Sequence, residues 1–191
     1  MDKSLNIKIG FPTIIFFVVL LTYNFSLVSI LPFFAALLHE IGHVVAMKLC
    51  GEKITTITIL PFGIDIKKAP SVTSYKSDLF ICSAGIITNI LLIVIFKTLP
   101  QTPNTTLFIT SNYLLIFVNI LPIKSLDGGQ FLEKIISIKY NISTAENVLT
   151  ITSFIFILLL GSVAVWLLFS SSYNFTLLLM CMYLFCGIFL K

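Results

Sequence analysis

The sequence lacks arginine, contains few charged residues of any kind and has only two histidines. Its 12 basic side chains are all lysine, and charged residues make up 10% of the 191 positions. A soluble domain contains roughly a quarter charged residues, so this composition argues against a soluble protein. Without arginine, no bidentate guanidinium fork is available to bind phosphate. The formal net charge of +4 therefore does not indicate nucleic-acid binding.

The four cysteines lack the spacing of a disulfide scaffold or of a thiolate metal site. They are Cys50, Cys82, Cys181 and Cys186, and no two of them form a C-x-x-C pair. Cys181 and Cys186 lie five residues apart in an apolar run, where cysteine packs as a small hydrophobic residue. Packing is therefore the favoured role for these side chains.

Hydrophobic residues make up 58% of the chain and gather in six runs. Most of these runs are long enough to cross a bilayer as helices, and they are too long for barrel strands. They cover residues 11–31, 33–50, 78–96, 107–121, 148–169 and 175–190. The sequence therefore predicts an all-α polytopic membrane protein with about six transmembrane helices. We expect one domain over residues 1–191, with its core at 33–130 and a C-terminal helix pair at 148–190.

The second run is bounded by residues that begin and end helices. Pro32 suits the first turn of a helix, and Gly51 suits a C-terminal cap. After it, the β-branched alternation of residues 54–60 and a Pro-Phe-Gly turn predict a short β-hairpin that ends near Ile66. The hairpin is apolar enough to be membrane-associated; an ordinary surface hairpin is the alternative.

The second run also contains the pattern H-E-x-x-H, formed by His39, Glu40 and His43. Residues i and i+4 share one face of a helix, so the two histidines can bind one metal ion together. Glu40 is placed to take a proton from water at that metal, the general-base role in peptide hydrolysis. Ionisable groups are costly in a segment that can enter a membrane, so they indicate function. A purely structural helix with incidental polar groups is the weaker interpretation.

Two histidines are too few for a catalytic zinc ion, which takes three protein ligands and keeps one position for water. No other histidine exists, so the third ligand must be a carboxylate or a thiolate. The candidates are Asp65, Asp78, Asp127, Glu133 and the four cysteines. Asp127 is favoured because Gly128 and Gly129 allow the backbone to turn sharply beside it. It also follows a short apolar run that is predicted to end in an interrupted helix. A helix N-cap is the alternative role for Asp127, and Asp65 is the alternative ligand.

The lysines predict the orientation of the chain in the membrane. If the N-terminus is cytoplasmic, six crossings place 11 of the 12 lysines on the cytoplasmic side and only Lys97 outside. We therefore expect a multi-pass protein of the cell membrane with both termini cytoplasmic. His43 and Asp127 then lie at similar depth, towards the same face.

Four motifs follow one another along residues 33–130. They are H-E-I-G-H, L-P-F-G at residues 60–63, S-A-G-x-x-x-N at residues 83–89 and N-x-x-P-x-x-x-L-D-G-G at residues 119–129. Together they resemble the site-2 protease family of intramembrane zinc metalloproteases. The resemblance is strongest to its compact six-helix bacterial branch, which includes the sporulation sigma-factor processing protease. One departure is the pair Gly85-Ile86, where the family often has Gly-Pro.

The resemblance implies a protease that hydrolyses a peptide bond in or near a transmembrane segment. It implies one zinc ion per chain bound by His39, His43 and Asp127, with Glu40 as the base. It also implies that Asn89 positions or polarises the substrate beside the metal.

The same resemblance implies that the hairpin guides an extended substrate. The expected substrate-binding residues are Ile57, Thr58, Phe62 and Asn119. The expected partners are the lipid bilayer, a membrane-protein or membrane-associated substrate and a regulatory membrane protein, because the sequence shows no regulatory nucleotide-binding or PDZ domain.

Two other functions use the same residues. One is a zinc or proton transporter, against which the chain offers no second set of intramembrane acidic groups for a relay. The other is a non-catalytic binder of membrane proteins derived from a protease. An intact Glu40 argues against this second alternative.

Overall fold

The computed structural model of the chain describes residues 6–10, 13, 27–60, 63–68, 74–170 and 175–189. These ranges contain six helices and three strands. The helices are α1 (Leu27–Leu49), α2 (Tyr75–Lys97), α3 (Pro103–Asn119), α4 (Asp127–Lys139), α5 (Ile142–Ser170) and α6 (Thr176–Phe189). The strands are β1 (Asn6–Ile9), β2 (Ile54–Leu60) and β3 (Gly63–Lys68). The chain divides into two compact units, Met1–Ile116 and Phe117–Lys191.

Three of these helices are long and apolar enough to cross a membrane: Ile30–Leu49 of α1, the whole of α2 and the whole of α5. The 23 residues of α2 extend for roughly 35 Å at 1.5 Å per residue, against a hydrocarbon core of about 30 Å. The predicted polytopic membrane fold is confirmed. The first predicted run, residues 11–31, lies mostly outside the described residues.

The prediction that Pro32 opens a new helix is wrong. Helix α1 begins at Leu27 and contains Pro32 in its interior. Proline lacks the N–H that would bond to the carbonyl four residues earlier, here that of Val28. The apolar residues on both sides of Pro32 nevertheless continue as one helix.

The other end of α1 follows the prediction. Gly51 has a φ of 74°, in the left-handed region that favours glycine. Its N–H bonds to the Lys48 carbonyl at 3.0 Å, and the Glu52 N–H bonds to the Met47 carbonyl at 2.9 Å. This pair of bonds is a Schellman cap, which satisfies carbonyls that the helix end would leave unpaired.

The first unit contains a close antiparallel contact of α1 with α2. A Cβ atom at Gly42 would overlap the Thr88 side chain and press on the Ala84 carbonyl. The helices therefore meet backbone to backbone, as small residues allow in membrane proteins. One turn further along α1, a core cluster seals the contact; its buried members are Ala46, Met47, Ile81 and Ala84.

The strands form a mixed sheet in the order β1-β2-β3. The predicted hairpin is present, since β2 pairs antiparallel with β3. The sequence did not predict β1, which pairs parallel with β2 from Asn6↔Thr56 to Ile9↔Ile59. Strand β2 consequently has a hydrogen-bonded partner on each side.

Lys68 links the sheet to the helices of the first unit through ion pairs. Its ammonium group bonds to the Asp78 carboxylate in the first turn of α2 and lies 3.8 Å from the Glu52 carboxylate. Glu52 is buried and follows the cap of α1. One cation at the end of β3 therefore links the strand to both helix ends.

The second unit packs α5 and α6 on the turn that precedes α4. Its core cluster consists of Ile123, Ile157, Leu184 and Ile188. Helix α5 begins at Ile142 rather than at the predicted residue 148. The Asn141 side-chain oxygen accepts the Thr144 N–H at 2.7 Å, which starts the helix with an N-cap.

The predicted interruption after residue 121 is present, because α3 ends at Asn119 and α4 begins at Asp127. The two glycines that follow Asp127 lie against the intervening turn. A Cβ atom at Gly128 would overlap the Ile120 carbonyl, and one at Gly129 would overlap the Ile123 carbonyl. The predicted close backbone approach at these glycines is therefore confirmed.

Candidate metal centre

The two histidines of α1 present one ring nitrogen each to a common point. Their Nε2 atoms lie 3.3 Å apart, and the rings are almost perpendicular at 77°. In tetrahedral coordination with zinc–nitrogen bonds of about 2.0–2.1 Å, two ligand nitrogens lie roughly 3.3–3.4 Å apart. The residues are only 4% and 7% exposed. The spacing thus matches two ligands of one zinc ion.

The second ring nitrogen of His43 fixes its tautomer. His43 Nδ1 lies 2.8 Å from the Ile81 carbonyl oxygen. A carbonyl can only accept, so Nδ1 must carry the proton, and Nε2 of the neutral ring is then a lone-pair donor to metal. Metal-binding histidines regularly use a backbone carbonyl in this way.

Gly85 of α2 leaves space for the rings of His39 and His43, which belong to α1. A Cβ atom at this position would overlap ring atoms of His39 and His43. Gly85 also lies one turn beyond Ile81, whose carbonyl oxygen accepts the His43 Nδ1–H. The glycine therefore sets the depth of the histidine pair.

Asn89 lies one turn further along α2, against the ring of His39. Its Nδ2 atom lies 3.0 Å from His39 Nδ1, and the residue is 0% exposed. Its other amide atom, Oδ1, is buried and has no hydrogen-bond partner in the described part of the chain. A buried polar atom without a partner is costly, so this amide is a candidate for a role beyond packing.

The face of α2 that contacts the two histidine rings consists of Ile81, Gly85 and Asn89, spaced by four residues. Sequence reasoning identified only Asn89 as functional. The contribution of Ile81 is a backbone carbonyl, which leaves no trace in the identity of its side chain. The glycine four residues before a polar residue in S-A-G-x-x-x-N was the available signal.

The proposed general base and third ligand lie on different helices. Glu40 follows His39 on α1 and is half-buried. Asp127, also half-buried, is the first residue of α4 in the second unit, and Leu126 occupies the N-cap position. The alternative role of Asp127 as the N-cap is therefore wrong. By donor chemistry, two imidazole nitrogens and one carboxylate oxygen make His39, His43 and Asp127 a candidate metal-binding set.

The other predicted site residues lie on several different elements. Ile57 and Thr58 lie within β2 and are half-buried, and Asn119 is the last residue of α3. Phe62 and the side chain of Asp65 lie outside the described residues. The Asp78 carboxylate is engaged by Lys68, as described above.

Comparison with known proteins agrees with the geometry. No protein-family profile matches the chain. Stage IV sporulation protein FB of Bacillus subtilis (strain 168) is 30% identical over 140 residues, which cover 70% of this chain and 47% of that protein. The chain thus spans about half the length of this curated relative. The solved structure of the Site-2 Protease from Methanocaldococcus jannaschii matches 98% of this chain and 91% of its own, with a TM-score of 0.71 and 25% identity.

This chain belongs to the site-2 protease family. Membership accounts for the coincidence of a membrane-length helix with a buried histidine pair and an adjacent glutamate. In this chain Gly85 leaves room for both histidine rings, although Ile86 follows it where the family often has proline.

We expect Gly85→Val to disrupt the metal centre, because the new side chain would occupy the space of both rings. Zinc bound per chain by the purified protein should fall at least about tenfold, in the range found when the groups that orient metal ligands are lost. Gly161→Val on α5 is the matched control, since a Cβ atom there has no neighbour within 4 Å. Equal zinc content in the two variants would show that the space left by Gly85 is not required for zinc binding.

Proposed function

We propose that this protein is a zinc endopeptidase that hydrolyses a peptide bond in or near a transmembrane segment of another protein. The observation that carries the proposal is the 3.3 Å separation of the His39 and His43 Nε2 atoms, on a helix long and apolar enough to span a membrane. The family's fold and the neighbouring Glu40 support the same chemistry.

In this proposal one zinc ion is bound by His39, His43 and Asp127. Two neutral imidazoles and one carboxylate are an established ligand set for catalytic zinc, with the fourth position open for water. We also propose that residues 1–191 form a single membrane metalloprotease domain. The Schellman cap of α1 fixes the backbone that follows the histidines. Gly128 and Gly129 in the first turn of α4 let the backbone beside Asp127 approach the preceding turn closely.

The bound zinc would supply Lewis acidity to the scissile carbonyl and to the attacking water. Glu40 takes the proton from the water and afterwards delivers it to the nitrogen of the departing amine. A glutamate is suited to both steps because its carboxylate accepts a proton and its acid form donates one. The buried, apolar surroundings strengthen the interactions of these charges.

The substrate in this proposal is a membrane-embedded or membrane-associated polypeptide in locally extended form. A membrane helix bonds its own peptide groups internally, so it must unwind before water can attack. The sequence analysis expects the hairpin to guide this extended substrate. Its first strand, β2, cannot do so by pairing with the substrate through a free edge, because β2 is paired on both sides. Within the strands that the structure describes, the edges left for a substrate strand are the outer edges of β1 and β3.

Replacement of Glu40 by glutamine separates this proposal from the other functions. Glu40→Gln keeps the shape of the side chain but removes the base, so zinc content should stay near that of the unchanged protein. Cleavage of a membrane-protein substrate should fall by at least about 100-fold, the lower range for a lost general base. Co-expression with candidate substrates, followed by mass spectrometry of the cleavage products, measures this loss.

Asp127→Ala provides the complementary variant, with zinc content much reduced. A transporter would retain most of its transport in Glu40→Gln, and a non-catalytic binder would retain most of its binding. Retention of full cleavage by Glu40→Gln would contradict the proposed role of Glu40 as the base. Full retention of zinc by Asp127→Ala would move the third ligand to another residue.

We also propose that both termini face the cytoplasm. Lys48 at the end of α1, together with Lys68 and Lys76 near the start of α2, places positive charge at one end of this helix pair. Reporter fusions at Met1 and Lys191 should both report a cytoplasmic location, and a fusion at Pro103 should report the outside. A terminal reporter at Lys191 on the outside would require an odd number of crossings and would contradict this orientation.

A further inference from the structure

The buried contact of Asn89 with His39 is compatible with two arrangements of protons. In the first, the Asn89 amide N–H donates to His39 Nδ1, and His39 Nε2–H donates to His43 Nε2. This arrangement satisfies both rings, but it leaves Asn89 Oδ1 buried without a partner. It also places a proton on the His39 nitrogen that faces the metal position.

Zinc binding through both Nε2 atoms requires the second arrangement. His39 then carries its proton on Nδ1, and this N–H needs an acceptor. The atom 3.0 Å away is the Asn89 amide nitrogen, which can only donate. A rotation of the amide by 180° exchanges its nitrogen and oxygen with little change in shape, and it places Oδ1 against His39 Nδ1.

We propose that Asn89 is a positioning residue for the metal ligand His39: its Oδ1 atom accepts the Nδ1–H of His39 and thereby holds Nε2 in the metal-binding tautomer. This inference rests on the proposed zinc site and assigns Asn89 a role through His39 in place of the substrate contact expected from the sequence. His43 is held in the same tautomer by the Ile81 carbonyl. One face of α2 therefore orients both rings, through a main-chain oxygen and a side-chain oxygen.

The test is the zinc dissociation constant of detergent-purified protein, measured by competition with a chromophoric chelator. Asn89→Leu removes the acceptor and should raise the dissociation constant by about 10- to 100-fold. Asn89→Asp keeps an oxygen in the same place and should stay within about threefold of the unchanged protein. Asn112→Leu is the matched control because Asn112 is also 0% exposed, while its amide N–H bonds to the Phe108 carbonyl of its own helix.

Equal zinc affinity in Asn89→Leu and the unchanged protein would overturn the inference, and a loss of cleavage with that affinity intact would assign Asn89 to the substrate. Equal weakening in Asn89→Asp and Asn89→Leu would also overturn it, because the acceptor would not be the cause. Absence of zinc binding in the unchanged protein would instead refute the proposed function itself.

A second measurement does not depend on the folding of any variant. The chain has only two histidines, so nitrogen-15 labelling of histidine gives two assignable ring systems in the zinc-loaded protein. The inference predicts a protonated Nδ1 and a metal-bound Nε2 for His39. A metal-bound Nδ1 on His39 would contradict it.

Discussion

The candidate metal centre depends on how closely α1 and α2 approach each other. Gly42 on α1 and Gly85 on α2 lie where a single additional carbon would meet the facing helix. Lipid tails are as apolar as leucine, so helices in a membrane associate through packing and hydrogen bonds rather than through exclusion of water. Small residues at the contact therefore decide how near the backbones come. Here they come near enough for imidazole rings on one helix to reach a main-chain carbonyl and a side-chain amide on the other.

This approach also determines what the histidines can do. A buried imidazole needs a partner for its N–H, and the nitrogen that receives no proton is the one that can bind a metal. The Ile81 carbonyl fixes the tautomer of His43, and we infer that Asn89 fixes that of His39. The same face of α2 is thus a template for the ligands on α1. In the zinc site that we propose, Asp127 needs no such choice, because both oxygens of an ionised carboxylate accept.

Local signals in the sequence predicted much of this structure. The i, i+4 histidine pair, the Gly51 cap and the close backbone approach at Gly128 and Gly129 depend on neighbouring residues and were identified correctly. Strand β1 was missed because its parallel partner lies about 50 positions away, and four residues contain too little pattern to reveal such pairing. Pro32 was expected to open a helix because proline is common in a first turn, but the apolar run continues on both sides and α1 contains Pro32 in its interior. The contact of Asn89 with His39 joins residues 50 positions apart, so the sequence indicated that Asn89 is functional without indicating what it touches.

The central claim is that this member of the site-2 protease family binds zinc through two imidazoles and a carboxylate. X-ray absorption spectroscopy at the zinc edge of the purified, zinc-loaded protein tests it most directly. The account predicts a first shell of nitrogen and oxygen at about 2.0–2.2 Å, with the outer-shell pattern of two imidazoles and no sulfur. A sulfur contribution at about 2.3 Å would place a cysteine in the centre in place of Asp127 and would contradict the account. A first shell without imidazole would contradict it at the histidine pair.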